Sequence, residues 1–247
     1  MNGNIKGRIV RPEAEKSRLI LPRVGQIKIG MKNANGYPQS VDYFIPTGKY
    51  AGLFTQAYGE KPQTIQIVFL DDDPAKVCNE RYEYRDDDGR LIAAGDGETF
   101  QVWDGKKYET LTTEEYPNLM LAITKRYPNR KSKQDGHDGW EITLTLNFIV
   151  PLVRGVAGVW QFSTKGTAST IPQIRETFDG MLAERGFCKG IIFDLNVQFA
   201  TTQKPGDKSR FPVVSLVPNE SPDNVLRVRK AWEPVKQLEG GDNGTEI

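Results

Sequence analysis

The chain has 247 residues, 38% hydrophobic and 10% aromatic, and its 33 Lys and Arg against 32 Asp and Glu leave a formal net charge of +1. That balance argues against a free-standing DNA binder, which relies on a basic excess to displace counterions from phosphates, and it favours a protein or small-ligand partner. Cys78 and Cys188 lie far apart without CxxC spacing, which excludes a zinc knuckle and a disulfide framework and reads as buried, reduced thiols. No segment approaches the roughly 20 apolar residues that cross a bilayer. The N-terminal stretch lacks the apolar run of a signal peptide, so the expected location is the cytoplasm, with no membrane partner.

In chain order, a short apolar alternation at Ile27 and Ile29 opens an aromatic, Gly- and Pro-punctuated segment that closes on the alternating Ile65, Ile67 and Phe69. Phe44 and Phe54 are expected in the core. Tyr37, Tyr43, Tyr50 and Tyr58 are the candidate partner-binding rings, because Tyr buries a large area with few rotors to freeze. From Tyr82 to Tyr108 the Asp-Gly pairs 88–89, 96–97 and 104–105 predict hairpin turns between short antiparallel strands. Thr112 to Thr124 is a weaker helix candidate with Pro117 near its first turn.

Lys125 to Gly139 reads as a polar loop, and it precedes the firmest strand. Trp140, Ile142, Leu144, Leu146, Phe148 and Val150 share one face; Glu141, Thr143, Thr145 and Asn147 share the other, wetter one. A helix is predicted over about 170–185: Ser169 or Thr170 can cap it, Pro172 fits its first turn, and Gly186 can end it. Ile191 to Phe199 repeats the strand pattern. Phe211 to Val217 adds a further strand, placed at an edge by Pro212. Near Ser221 the chain reads equally as a further helix or as extended. The sum is an α+β fold, predominantly antiparallel β-sheet with one clear helix and one or two weaker ones. We expect a single β-rich domain over 1–235, with a subdivision near 125–139, and a disordered acidic tail over 236–247.

Catalytic chemistry finds little footing. Asp71, Asp72 and Asp73 follow a strand end and invite a hard cation, but Lys76 and Tyr82 stand where a calcium loop needs Gly and Glu. Turn acids are the plainer account. His137 is the only histidine and lies in a glycine-rich polar loop. Lys165-Gly166-Thr167 lacks the upstream glycine of a phosphate-binding loop. Gly155 to Gly158 matches a two-glycine RNA clamp, but joins a strand to VWQFST where that clamp joins two helices. The strongest basic cluster is Lys125, Arg126, Arg130, Lys131 and Lys133, which can touch phosphates or simply form a solvated surface loop.

GQIKIGMK (25–32), DYF (42–44), Tyr50, Phe54, YGEKP (58–62) and a strand ending in acids follow one another in a distinctive order. CNER (78–81), the Gly95-Asp96-Gly97 turn, FQVWD (100–104) and GVAGVWQFSTKG (155–166) come next. In this order, over most of residues 20–200, the chain resembles the phage-type recombination directionality factors that work with large serine integrases. The resemblance implies an accessory protein with no catalysis and no cofactor, which reaches DNA only through a bound integrase. It implies action on the integrase's mobile coiled-coil arm, so that the synaptic complex favours attL with attR over attP with attB. It carries no contact residues to this chain. Two rivals stand beside it: a metal-dependent hydrolase using Asp71 to Asp73, and a direct nucleic-acid binder using the 125–133 loop.

Overall fold

The computed structural model describes residues 21–134, 136–202 and 206–220. An eight-stranded sheet has the order β2-β1-β9-β8-β4-β5-β6-β7, and a three-stranded sheet has the order β11-β10-β3. In chain order the elements begin with β1 (Arg23–Lys32), β2 (Pro38–Thr47), α1 (Ala51–Tyr58), β3 (Thr64–Val68) and α2 (Pro74–Val77). A meander follows: β4 (Cys78–Arg85), β5 (Leu91–Gly95), β6 (Thr99–Trp103) and β7 (Tyr108–Thr112). The remainder comprises α3 (Leu119–Arg126), β8 (Trp140–Phe148), β9 (Val159–Thr164), α4 (Thr170–Arg185), β10 (Ile192–Thr201) and β11 (Arg210–Pro218). Among the described residues all strand pairs are antiparallel except β1 with β9, so the α+β expectation is met by a mixed large sheet.

The meander turns as its Asp-Gly pairs dictate. Gly89, Gly97 and Gly105 take φ of 80°, 107° and 112°, which favours glycine. The Asp96 carboxylate accepts the main-chain N–H groups of Glu98 and Thr99 at 2.9 and 2.7 Å, and Asp104 does the same for Lys106 and Lys107.

The inner faces of both sheets and α4 enclose the larger hydrophobic cluster. It contains Phe44, Phe54, Ile65, Ile67, Phe69, Leu144, Leu146 and Phe148, all fully buried, with Phe178 of α4 among them. Phe69 meets Phe178 edge-on at 5.2 Å and Phe193 at 5.4 Å, a geometry that suits the ring quadrupoles. Trp160 packs against Gly25, where a Cβ would strike both that ring and the Thr47 carbonyl. A smaller cluster lies under the meander, where Tyr84, Phe100, Leu119 and Ile123 join α3 to β4–β7.

The helix at 170–185 forms as read and ends at Gly186 with φ of 81°. Its capping differs from expectation. Ser169 occupies the N-cap without a side-chain bond, and the Thr170 hydroxyl accepts the Val214 N–H at 3.1 Å. That hydroxyl is buried, so it serves β11 and not the helix end. The helix expected from Thr112 starts only at Leu119, because residues up to Thr112 pair with β6 and turns occupy most of 113–118. β11 lies at a sheet edge, and Pro212 is accommodated there. The segment beginning at Ser221 and the tail fall outside the described residues.

Candidate functional site

Two surfaces stand out, and the first is the β1–β2 hairpin. Its tip is fixed by Asn33, whose side-chain oxygen accepts the N–H groups of Asn35 and Tyr37 at 3.0 and 2.9 Å, with Gly36 at φ of 80°. This holds Tyr37 out in solvent at 67% exposure beside an edge strand. Tyr43 is half-buried; its hydroxyl donates to the Met31 sulfur at 3.6 Å, and the Lys61 ammonium lies 5.6 Å from its ring centroid. The other two candidate rings separate from this pair. Tyr50 caps the start of α1, Tyr58 is its last residue, and both pack against the large core. Tyr58 stacks on Phe54 at 5.0 Å, and its hydroxyl accepts the Gln66 N–H at 3.1 Å, which pins α1 to β3. Burial raises the Tyr58 pKa, partly opposed by the Gln66 hydrogen bond.

The acids at 71–73 are occupied with structure. Asp71 receives the Lys76 ammonium at 2.7 Å, and Asp73 caps α2 through the Ala75 N–H at 3.0 Å. Asp72 accepts the N–H groups of Cys188 and Lys189 at 2.6 and 2.7 Å, tying the strand end to the loop after α4. Among the described residues no three metal-ligating side chains of His, Cys, Asp or Glu converge. His137 is exposed. Both cysteines are buried and free, and burial pushes each thiol up to about 12.

The basic cluster is dispersed by its own contacts. Lys125 and Arg126 end α3, and Arg126 donates to the Asp104 carbonyl at 3.1 Å. Arg130 presents its main-chain N–H to Asp87, Lys131 pairs with Glu141, and Lys133 is exposed.

The second surface is one that sequence reading reached only in part. The wet face of β8 (Thr143, Thr145, Asn147) adjoins Asn79, Arg81, Glu83 and Arg85 of β4 on one side. On the other it adjoins Gln161 and Ser163 of β9 and Lys165 just beyond that strand, then Arg23 and Gln26 of β1. Together they line a groove of about 500 Å³ on the outer face of the large sheet. Strict alternation in CNERYEYR was the available signal, because it sends Asn79, Arg81, Glu83 and Arg85 to one side.

Glu83, only 4% exposed, is the keystone of this face. One carboxylate oxygen accepts Arg81 Nε and Nη2 at 2.9 and 2.7 Å; the other accepts Arg85 Nε and Nη2 at 3.1 and 2.8 Å. Burial works to raise the Glu83 pKa, but the guanidiniums of Arg85 and Arg81 outweigh it and hold the carboxyl below its ordinary range. Beside Arg81 in register lies Thr143, 5% exposed, whose buried hydroxyl has no hydrogen-bond partner among the described residues. An amide relay edges the groove: Arg23 and Gln26 donate to Gln161 Oε1 at 3.1 and 3.4 Å, and Gln161 donates to Asn147 at 3.2 Å.

With this geometry in view, comparison with known proteins identifies the class. The family model described as Gp3-like, recombination directionality factor-like, matches residues 24–219. The chain therefore belongs to the Gp3-like family of recombination directionality factor-like proteins. No curated protein and no solved structure matches it. Among the described residues no helix is long and apolar enough to cross a membrane.

Proposed function

We propose that the protein is an accessory recombination directionality factor that binds a large serine integrase and shifts it toward excision, attL with attR, without catalysis of its own. The family match over residues 24–219 carries this reading. The near-neutral charge and the projecting Tyr37 support a protein partner over naked DNA. Physically the factor needs only to bind one arrangement of the integrase more tightly than another. Reversing a hundred-to-one preference takes about 5.5 kcal/mol of differential affinity. The aromatic anchors proposed for that interface are Tyr37 and Tyr43 on the hairpin, with Tyr50 and Tyr58 bracing the helix behind it.

The test is recombination in vitro with the purified chain and its cognate integrase. The expected result is stimulation of attL with attR, suppression of attP with attB, and co-elution of the two proteins. Recombination that ignores the added chain, or unaided binding of naked DNA with a steep salt dependence, overturns the reading. The double variant Tyr37→Ala, Tyr43→Ala is expected to weaken co-elution by about tenfold or more, as loss of aromatic anchors does.

A further inference from the structure

The groove on the outer sheet face takes no part in the aromatic contact proposed above, yet it has the features of a built site. Among the described residues four cationic side chains (Arg23, Arg81, Arg85 and Lys165, the last already paired with Glu141) and one carboxylate, Glu83, line it. Glu83 uses both oxygens to fix the inner edges of two guanidiniums. Among the described residues Arg81 bonds to nothing else, so its Nη1 edge is left to face a ligand. Arg85 is steadied further by donating Nη1 to the Gly89 carbonyl at 3.0 Å. Holding a guanidinium in place before binding reduces the entropy lost when an oxyanion docks on it. On the same floor the Thr143 hydroxyl is buried without a partner, a condition that costs free energy unless something supplies the missing bond.

We infer that this groove receives an acidic peptide segment of the partner protein, with a carboxylate seated on the free edge of Arg81 beside Thr143 and the Lys165–Glu141 pair at the rim. The choice of peptide over nucleic acid follows from the lining. A phosphodiester backbone only accepts hydrogen bonds, and it would meet the side-chain carbonyls of Gln26 and Asn79, whose amide nitrogens already donate elsewhere, with nothing to donate. A peptide offers both N–H and C=O, which those amides match. Among the described residues no aromatic ring lines the groove, so they offer bases no stacking platform. The surplus of positive charge selects a segment rich in Asp or Glu. This inference rests on the reading of the chain as a partner-binding factor, and it names the chemistry of a second contact.

The experiment measures fluorescence anisotropy of a labelled eight-residue Glu-Ser repeat peptide with the full chain, against a labelled single-stranded oligothymidine of equal length. The peptide is expected to bind, to weaken as salt rises, and to perturb the amide resonances of Thr143, Thr145 and Gln161. The variant Arg81→Ala is expected to lower peptide affinity about tenfold or more, the magnitude of a lost charge-assisted hydrogen bond. Lys165→Ala, on the far side of Thr143, provides a second reading with Glu83 and its arginines intact, and circular dichroism checks the fold of both. Absence of peptide binding, affinity unchanged in both variants, or tighter binding of the oligothymidine each overturns the inference. The two readings fail separately. Groove variants that keep full stimulation of excision and full co-elution sink the groove alone; peptide binding by a chain that ignores the integrase sinks the proposed function alone.

Discussion

The two hydrophobic clusters of this molecule differ in how they are closed, and the difference separates scaffold from appendage. The larger is sealed by two sheets and α4, so residues such as Phe69, Phe178 and Phe193 are covered on every side. The smaller has one sheet and the eight-residue α3 as its lid, and partly buried Tyr82, Trp103, Tyr127 and Trp140 form its margin. Its closure leans on polar ties: the Tyr84 hydroxyl donates to the Tyr127 carbonyl at 2.9 Å, and Tyr127 donates to the Trp103 carbonyl at 3.2 Å. Burial from two sides makes a cluster cooperative with the whole fold, whereas a one-sided lid can open locally.

The sharpest way to break this contrast is to empty each cluster in turn. Phe178→Ala removes a ring that meets Phe69 and is expected to cost about 3–5 kcal/mol in urea unfolding, with all probes losing signal together. Phe100→Ala in the smaller cluster is expected to cost about 3 kcal/mol, the low end for a buried ring. Its effect should concentrate in faster hydrogen exchange of β5–β7, while β8 and β10 keep their protection. Equal loss of protection in both regions would show that the meander is not separable.

A smaller effect tests the polar face that both regions share. Because Glu83 titrates below its ordinary range in the folded chain, the unfolded chain binds the proton first as pH falls. Its contribution is whole above the unfolded value, about 4.3, and is lost as pH drops through the folded one. Glu83→Gln is expected to cost about 1–2 kcal/mol at pH 7, discounted because both arginines are partly solvated, and to flatten the stability loss between pH 5 and 3, a window set by that value near 4.3. A parent-like pH profile in Glu83→Gln would assign the acid sensitivity to other carboxylates. Asp71 and Asp73 are also held low, chiefly by the Lys76 hydrogen bond.

The smallest expected change lies at the hairpin tip. Tyr37→Ala should alter stability by no more than about 0.5 kcal/mol, since the ring is exposed. A larger loss in thermal unfolding would mean that Tyr37 supports the hairpin itself.

Legibility from sequence followed the range of the forces involved. The Asp-Gly turns, the alternation of Trp140 to Phe148 and the helix closed by Gly186 were readable because each depends on neighbours within a few residues. Phe44 and Phe54 were readable as core rings, and both are fully buried. The four tyrosines all read as candidate partner-binding rings, with Tyr37, Tyr50 and Tyr58 expected at the surface beside their Gly or Pro neighbours. Packing separates them, leaving Tyr37 in solvent and engaging the Tyr58 hydroxyl with the main chain of β3.

By itself, the sequence determined the strand periods, the turn positions and an ordered set of motifs sufficient to indicate the family. Tertiary structure alone decided that β4, β8, β9 and β1 lie side by side, since strand neighbours are chosen by long-range pairing and burial. That adjacency sets Arg81 of β4, Thr143 of β8 and Gln161 of β9 along one groove beside a buried carboxylate. Local propensity carries no information about such a meeting. It arises when the shared core fixes the order and register of strands far apart in the chain.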